Sequence, residues 1–162
     1  MCKSRRPATT RSPAHPLSPS HSLTHMRLPE VTFHIYPTDC DMLGHLNHAT
    51  MLSFLERARW ALLEPQIDLR SLTRQPVYSV VRHVDIGYLA QSLPGEDLVV
   101  RSGLLAVKNT SYIVRQEVRK VGSDVKVAEA NIVFVAIGQD GKPVRVPDTW
   151  REMLPHWPEA AY

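Results

Sequence analysis

The sequence has 162 residues, with 19 Lys and Arg against 16 Asp and Glu and a formal net charge of +3. The first 26 residues hold four of the basic side chains and no acidic one, so the rest of the chain has a net charge of −1 and gives no reason to expect nucleic acid as a partner. The longest apolar run, residues 132–137, is far shorter than the roughly 20 residues that a membrane-spanning helix needs, so we expect no membrane partner either.

Residues 1–26 are predicted to be a basic leader outside the fold. Ser, Thr, Pro and His supply 15 of its 26 positions, and such a stretch lacks the apolar surface that would offset the entropy of ordering it. We interpret it as a disordered tail, or as the result of a start codon upstream of the true one at Met26. Its Arg- and Ser-rich, acid-free composition leaves a targeting role open. The length fits one domain, which we place at residues 27–162.

Only two cysteines are present, Cys2 in the leader and Cys40 in the body. One thiol in the folded part excludes a disulfide framework and a thiolate metal cluster. This cysteine usage predicts a reducing, cytoplasmic location.

The first predicted elements are a short strand and a long helix. A β-like run over residues 31–36 stops at Pro37. After a loop, Asn47 is the predicted N-cap of a helix that reaches Glu64 and ends before Pro65. Apolar side chains occur on nearly all sides of this segment, which predicts a helix enclosed by the rest of the protein.

The remainder of the chain has the period-two pattern of strands. Four strands are predicted, at residues 77–90, 98–107, 111–121 and 125–137, and short polar turns join the last three. In the first of them one face is expected to carry Tyr78, Val80, Val84, Ile86 and Tyr88, and the other face His83 and Asp85. The predicted fold class is α+β, a curved antiparallel sheet of about five strands wrapped around one long central helix.

The loop between the first strand and the helix concentrates reactive side chains. Residues 36–49 hold two carboxylates, two imidazoles and one thiol, those of Asp39, Asp41, His45, His48 and Cys40. The first N–H groups of a helix are unpaired and partially positive, so they can stabilise a developing oxyanion. A carboxylate beside them can attack a carbonyl or take a proton from water, and this combination indicates acyl-transfer hydrolysis.

Simpler interpretations of the same residues stay open. Asp39 and Asp41 could cap turns or the helix start, and we interpret Asp39 as structural. His45 could be a packing histidine, and Cys40 is interpreted as a small packed side chain rather than a nucleophile. A metal site in this loop is not favoured, because no further ligand is nearby.

One motif makes the interpretation specific. The pattern Thr38-Asp-x-Asp41-x-x-Gly44-His45-x-Asn47-x-Ala49, followed by Phe54-Leu-Glu56-Arg57-Ala58-Arg59, resembles the signature of the 4-hydroxybenzoyl-CoA thioesterase-like family. Residues 84–89 and 94–97 resemble that family's second strand and the turn after it. The resemblance implies the hotdog fold and hydrolysis of an acyl-CoA thioester to a carboxylic acid and coenzyme A, with no metal or other cofactor. It also implies a homodimer or a dimer-of-dimers homotetramer.

The resemblance also assigns catalytic roles. Asp41 matches the family's catalytic carboxylate, which acts as a nucleophile or as a general base for water. His45 and Asn47 match positions that line the same pocket, where they are expected to orient water or to hydrogen-bond the thioester.

Four further residues are expected to bind substrate by the same resemblance. Backbone N–H groups near His48 and Ala49 would polarise the thioester carbonyl, and Gly44 would let the backbone approach the ligand closely. Glu56, on the helix, is a secondary candidate for the catalytic carboxylate. Many relatives carry Asn at the position of His48, a departure that bears on the acyl group rather than on the type of reaction.

Two other functions on the same fold are kept as alternatives. One is an enoyl-CoA hydratase or dehydratase, which also uses an acid and a histidine. The three residues between Asp41 and His45, and the Asn47 that follows, argue against it. The other alternative is a protein that binds acyl-CoA without turnover, and the presence of Asp41 argues against that.

Overall fold

The computed structural model describes residues 28–158, apart from the side chain of Thr73. The predicted leader, residues 1–26, lies outside the described residues. The regular elements are β1 (Glu30–His34), α1 (His48–Leu63), β2 (Val77–Tyr88), β3 (Asp97–Val107), β4 (Ser111–Lys120) and β5 (Lys126–Gly138), with short 3-10 turns at Pro37–Asp39, Leu69–Arg74 and Asp148–Arg151. No helix in this part of the chain is long and apolar enough to cross a membrane.

The five strands form one antiparallel sheet in the order β1-β3-β4-β5-β2. Strands β3, β4 and β5 pair in succession, so they are the predicted meander. Strand β2 comes before the meander in the chain but pairs with β5, and it therefore forms the edge opposite β1. The predicted α+β class, one long helix against a curved five-stranded antiparallel sheet, is confirmed.

Helix α1 begins and ends where the sequence predicts, with Asn47 as its N-cap and Pro65 just past its C-cap. Its buried face, Met51, Phe54, Leu55 and Ala58, packs on the sheet, where α1 contacts β1 and β3. Phe54 stacks on Phe33 of β1, with ring centroids 4.8 Å apart. The helix therefore covers the β1 and β3 side of the inner face of the sheet.

The β2 edge of that inner face is open, and apolar side chains of α1 outside its buried face are exposed as well. Leu52 and Trp60 on α1 are 37% and 39% exposed, and Val84 on β2 is 37% exposed. The prediction of a helix enclosed on nearly all sides is wrong for the single chain. Helix α1 has apolar side chains on almost all sides, but the sheet of the same chain covers only one side of the helix.

A β-bulge at Arg82 decides which side chains of β2 face inward. The register with β5 shifts between Val81 and His83, because a bulge adds one unpaired residue and interrupts the alternation. Side chains directly opposite each other on paired strands share a face of the sheet. The buried side chains of β5 point to the inner face, so their partners on β2 do too. These partners are Ser79, Val81, Val84, Ile86 and Tyr88. The prediction that Tyr78 and Val80 share a face with Tyr88 is therefore wrong, since it assumed an unbroken strand.

Candidate active site

The loop between β1 and α1 is held by its own hydrogen bonds. Oδ2 of Asp39 accepts the backbone N–H of Tyr36 at 2.9 Å, and the carbonyl of Asp39 accepts that of Asn47 at 3.0 Å. The N–H of Leu46 donates to the carbonyl of Ser92 at 2.9 Å, which ties the loop to the segment after β2. Asp39 thus has the structural role that the sequence predicts.

Asp41 lies in a tight turn that fixes its carboxylate. Oδ1 of Asp41 accepts the backbone N–H of Leu43 at 2.8 Å and that of His45 at 3.3 Å. Gly44 completes the turn with a φ of +78°, a conformation that side chains disfavour. Oδ2 of Asp41 accepts no hydrogen bond from residues 28–158, so one carboxylate oxygen holds the turn and the other is available for chemistry.

The start of α1 presents one free backbone donor. Oδ1 of Asn47 accepts the N–H of Ala49 at 2.8 Å and that of Thr50 at 3.4 Å. The N–H of Met51 makes the first helical hydrogen bond, to the carbonyl of Asn47, at 2.9 Å. Among the described residues the N–H of His48 has no acceptor, so it is the group that can meet an oxyanion.

A cavity of about 330 Å³ joins the loop, the start of α1 and the end of β2. Its wall includes Asp41, His48, Met51, Tyr88, Leu89 and Val127. The carboxylate and the helix start therefore border the same space, and most of the remaining wall is apolar. This arrangement suits a ligand with a polar reacting group and an apolar remainder.

The structure brings only some of the predicted site residues to this cavity. Asp41 and His48 line it, whereas Gly44, His45 and Asn47 belong to the turn and the cap beside it and do not form part of its wall. Gly44 and His45 shape the site through the backbone of the turn, and Asn47 shapes it through its side-chain cap.

The other two predicted residues also lie outside the wall. Ala49 uses its N–H on the Asn47 cap, and Glu56 is exposed two turns further along α1. Sequence reasoning missed Tyr88, whose ring lines the cavity and whose hydroxyl donates to the carbonyl of His48 at 3.1 Å. A tyrosine at the end of a strand carries no sequence signal for such a contact.

Two observations argue against a thiolate nucleophile and against a metal site in this loop. Burial, and then the carboxylates of Asp39 and Asp41, raise the pKa of the Cys40 thiol. Its Sγ lies 3.7 Å from the carbonyl oxygen of Tyr36, and a protonated thiol is a poor nucleophile. From residue 28 to residue 158, no three His, Cys, Asp or Glu side chains are grouped so as to hold a metal ion.

A larger cleft, of about 520 Å³, lies on the outer face of the sheet, and the β1–α1 loop is not part of its wall. Its basic side chains are already paired with carboxylates. Arg101 meets Glu30 at 2.8 Å, and Lys120 meets Glu96 at 2.7 Å. The smaller cavity is therefore the candidate active site, because it has a carboxylate oxygen and a backbone N–H without partners among the described residues.

An acidic loop at the N-terminus of a helix, carried on a curved antiparallel sheet, is the arrangement expected of a thioester hydrolase with the hotdog fold. Residues 35–154 match the thioesterase-like superfamily. The chain belongs to this superfamily, and the predictions of the hotdog fold and of a thioester-hydrolysing enzyme are confirmed at this level.

Three known proteins are similar to the chain. The long-chain acyl-CoA thioesterase FadM of Escherichia coli (strain K12) is 32% identical over 97 residues, which are 60% of this chain and 74% of FadM. The crystal structure of YbaW, a probable thioesterase from Escherichia coli, matches with a TM-score of 0.70 at 26% identity, over 78% of this chain and 96% of YbaW. Slr0204, a 1,4-dihydroxy-2-naphthoyl-CoA thioesterase from Synechocystis, matches with a TM-score of 0.70 at 18% identity, over 76% of this chain and 93% of Slr0204, a likeness of fold alone.

Proposed function

We propose that the chain hydrolyses an acyl-CoA thioester to a carboxylic acid and coenzyme A in the cavity beside Asp41. One observation carries the proposal: Asp41, with Oδ2 free of described donors, and His48, with its N–H free of described acceptors, line the same cavity. The carboxylate can serve as base or nucleophile, and the N–H can stabilise negative charge on the carbonyl oxygen. Membership of the thioesterase-like superfamily supports this reaction.

With Asp41 as general base, its carboxylate takes a proton from water while the water oxygen bonds to the thioester carbon. The negative charge that develops on the carbonyl oxygen is stabilised by the N–H of His48 at the positive end of the helix dipole. The C–S bond breaks as the carbonyl re-forms, and the thiolate takes the proton from Asp41 and leaves as coenzyme A, which regenerates the carboxylate.

With Asp41 as nucleophile, its carboxylate oxygen attacks the thioester carbon, the thiolate leaves, and the resulting anhydride is hydrolysed by water. A single turnover in oxygen-18 water reveals the nucleophilic route when water attacks the carbonyl carbon of Asp41 in the anhydride. Label recovered in the Asp41 carboxylate identifies the anhydride, because a general base exchanges no oxygen.

The residues beside the cavity support these steps in the proposal. The N–H of His45 holds Oδ1 of Asp41, and Asn47 caps the helix so that its start is ordered. Gly44 allows the tight turn that contains Asp41. The thioester carbonyl is polarised by the N–H of His48 and not by that of Ala49, because the N–H of Ala49 already donates to Oδ1 of Asn47. Glu56 stays a secondary candidate for the catalytic carboxylate.

A long acyl chain is the substrate class that we propose. Beyond the cavity, the open inner face of β2 continues with Val84 and Ile86. Together they form an apolar surface that begins beside the reacting groups. The function named for FadM, a long-chain acyl-CoA thioesterase, supports the same choice.

We further propose that a second copy of the chain covers this open face, which gives a homodimer or a dimer-of-dimers homotetramer. Strand β2 has one sheet neighbour, β5, and its inward-facing Val81 is 50% exposed. An exposed apolar edge strand favours pairing with another chain.

The cytoplasmic location is a prediction from the sequence, and cell fractionation tests it.

Thiol release from aryl-, short-chain and long-chain acyl-CoAs tests the proposed reaction. We expect turnover by the wild type and a loss of kcat of about 10²- to 10⁴-fold in Asp41→Asn and Asp41→Ala. Asp85→Asn makes the same charge change on the outer face of β2 and is expected to keep the activity.

Three results would contradict the proposal in different ways. Full activity in both Asp41 variants would remove the catalytic assignment. Hydration of an enoyl-CoA without thiol release would favour a hydratase. Tight binding of acyl-CoAs with no turnover would favour a binding protein.

A further inference from the structure

Tyr88 is the last residue of β2, and its side chain reaches the first residue of α1. The phenol hydroxyl donates to the carbonyl of His48, with 3.1 Å between the two oxygens, and the ring forms part of the wall that Asp41 and His48 also line. Among residues 28–158 this is the one hydrogen bond that joins β2 to α1. It therefore connects an edge strand directly to the reacting end of the helix.

This bond completes the fixation of one peptide unit. The peptide between residues 48 and 49 is held at its N–H by Oδ1 of Asn47, at 2.8 Å, and at its carbonyl by the hydroxyl of Tyr88. The neighbouring peptide carries the N–H of His48, which is left without an acceptor in the described structure. Because adjacent peptide planes share one Cα atom, fixing the first limits the directions in which the second can point.

The end of β2 that carries Tyr88 is itself held in place. Tyr88 lies opposite Ala128 in the register, and the N–H of Leu89 donates to the carbonyl of Val127 at 2.8 Å. The anchor for the helix start is thus β5, an interior strand of the sheet, and not the loop that carries Asp41.

We propose that Tyr88 is a positioning residue for the reaction, whose hydroxyl, bound to the carbonyl of His48, aims the N–H of His48 at the thioester oxygen. This inference rests on the proposed thioester hydrolysis. A donor that is already aligned stabilises the transition state without further ordering, whereas a loosely held one must be ordered at the moment of reaction. The contribution therefore belongs to kcat and not to the binding of the acyl chain.

Tyr88→Phe tests the role, because it keeps the ring in the cavity wall and removes only the hydroxyl. The chain provides a matched control in Tyr78→Phe, on the same strand but on its outer face and 40% exposed. With dodecanoyl-CoA as substrate we expect kcat to fall about three- to tenfold in Tyr88→Phe, which corresponds to roughly 0.6 to 1.4 kcal/mol. KM is expected to stay within about twofold, and Tyr78→Phe to match the wild type in both constants.

A spectroscopic measurement reports on carbonyl polarisation without any turnover. The probe is a dodecanoyl-CoA analogue in which a methylene replaces the thioester sulfur, and the readout is the infrared stretch of its carbonyl when bound. We expect binding to the wild type to lower the stretching frequency, and binding to Tyr88→Phe to lower it by less. A purely structural role for the hydroxyl would reduce thermal stability and leave this band unchanged.

The outcomes separate this inference from the proposed function. If the wild type releases no thiol from any acyl-CoA, the proposed function is wrong. If the wild type is active and Tyr88→Phe has the same kcat and carbonyl band, the positioning role is wrong while the proposed function stands. A change in KM alone would also overturn it, since the residue would then act in binding.

Discussion

Nη1 of Arg59, on α1, donates to Oε1 of Gln116, on β4, at 2.7 Å. Gln116 is fully buried, and its Nε2 donates to the carbonyl of Leu55 at 3.0 Å and to Oγ of Ser102 at 2.8 Å. One amide side chain therefore joins the helix to β3 and β4 through three hydrogen bonds. The guanidinium of Arg59 also lies over the ring of Phe134 of β5, 5.3 Å from its centroid. This cluster attaches α1 to the sheet through polar contacts, in addition to the apolar contacts of the buried helix face.

Gln116→Met keeps the length of the side chain and removes all three hydrogen bonds. We expect the free energy of unfolding to fall by about 2 to 4 kcal/mol, because a partly buried cation and a buried hydroxyl lose their partner. Urea unfolding measures the change. Gln91→Met, at an exposed position, is the control and is expected to shift stability by about 0.5 kcal/mol or less. Equal stability of Gln116→Met and the wild type would show that the cluster contributes nothing.

Asn47→Ala removes the cap of α1. We expect the free energy of unfolding to fall by about 1 kcal/mol and kcat to fall as well, because the N–H of Ala49 loses its acceptor and the helix start is less ordered. Asn47→Asp keeps an acceptor oxygen and should restore most of the stability. Chemical denaturation and thiol-release kinetics on the two variants provide the comparison. If Asn47→Ala and Asn47→Asp behaved alike, capping would not be what Asn47 contributes.

Glu117 gives the stability of the protein a defined dependence on pH. Burial acts to raise the pKa of its carboxyl, but hydrogen bonds and charges from Arg119 and Lys126 outweigh burial and hold the pKa below its ordinary value of 4.5. A depressed folded-state pKa stabilises the protein above the unfolded pKa, and this contribution is lost as the pH falls through the folded value. We expect the urea concentration at the unfolding midpoint to decrease once the pH is below about 4.5. Glu117→Gln is expected to be less stable than the wild type at pH 7, and its stability is expected to depend less on acid. If the stability of Glu117→Gln depended on acid as much as that of the wild type, the acid dependence would come from other carboxyl groups.

The open inner face of β2 predicts an oligomer, and we expect that a single substitution on this face disrupts the contact between the chains. Sedimentation at micromolar concentration is expected to show twice or four times the mass of one chain. Val84→Arg, which places a charge on the inner face of β2, should yield monomers with reduced thiol release, because a buried unpaired charge is costly. Val125→Arg is the control, at a residue outside the sheet that is 44% exposed. A wild type that sediments as a monomer would contradict the proposal.

Features that depend on neighbouring residues were predictable from the sequence, and those that depend on distant pairing were not. Asn47 and Pro65 bound the helix through contacts with their own neighbours, and Asp41 and His48 could be named as candidates because both lie in one continuous motif. The bulge at Arg82 exists only in the register with β5, which no period-two pattern contains. The contact of Tyr88 with His48 depends on that register too, so the sequence could not predict it.

The position of β2 in the sheet also sets the order in which the cavity can be assembled. One wall of the cavity comes from residues 41–51 and another from Tyr88 and the residues after it, but β2 has no sheet partner until β5 is available. Val77 lies opposite Gly138 and Tyr88 opposite Ala128, so a nascent chain must extend past the meander before the site can close. Pairing between segments so far apart in sequence is slow. A chain arrested during synthesis before β5 is therefore expected to contain Asp41 and His48 but no closed cavity.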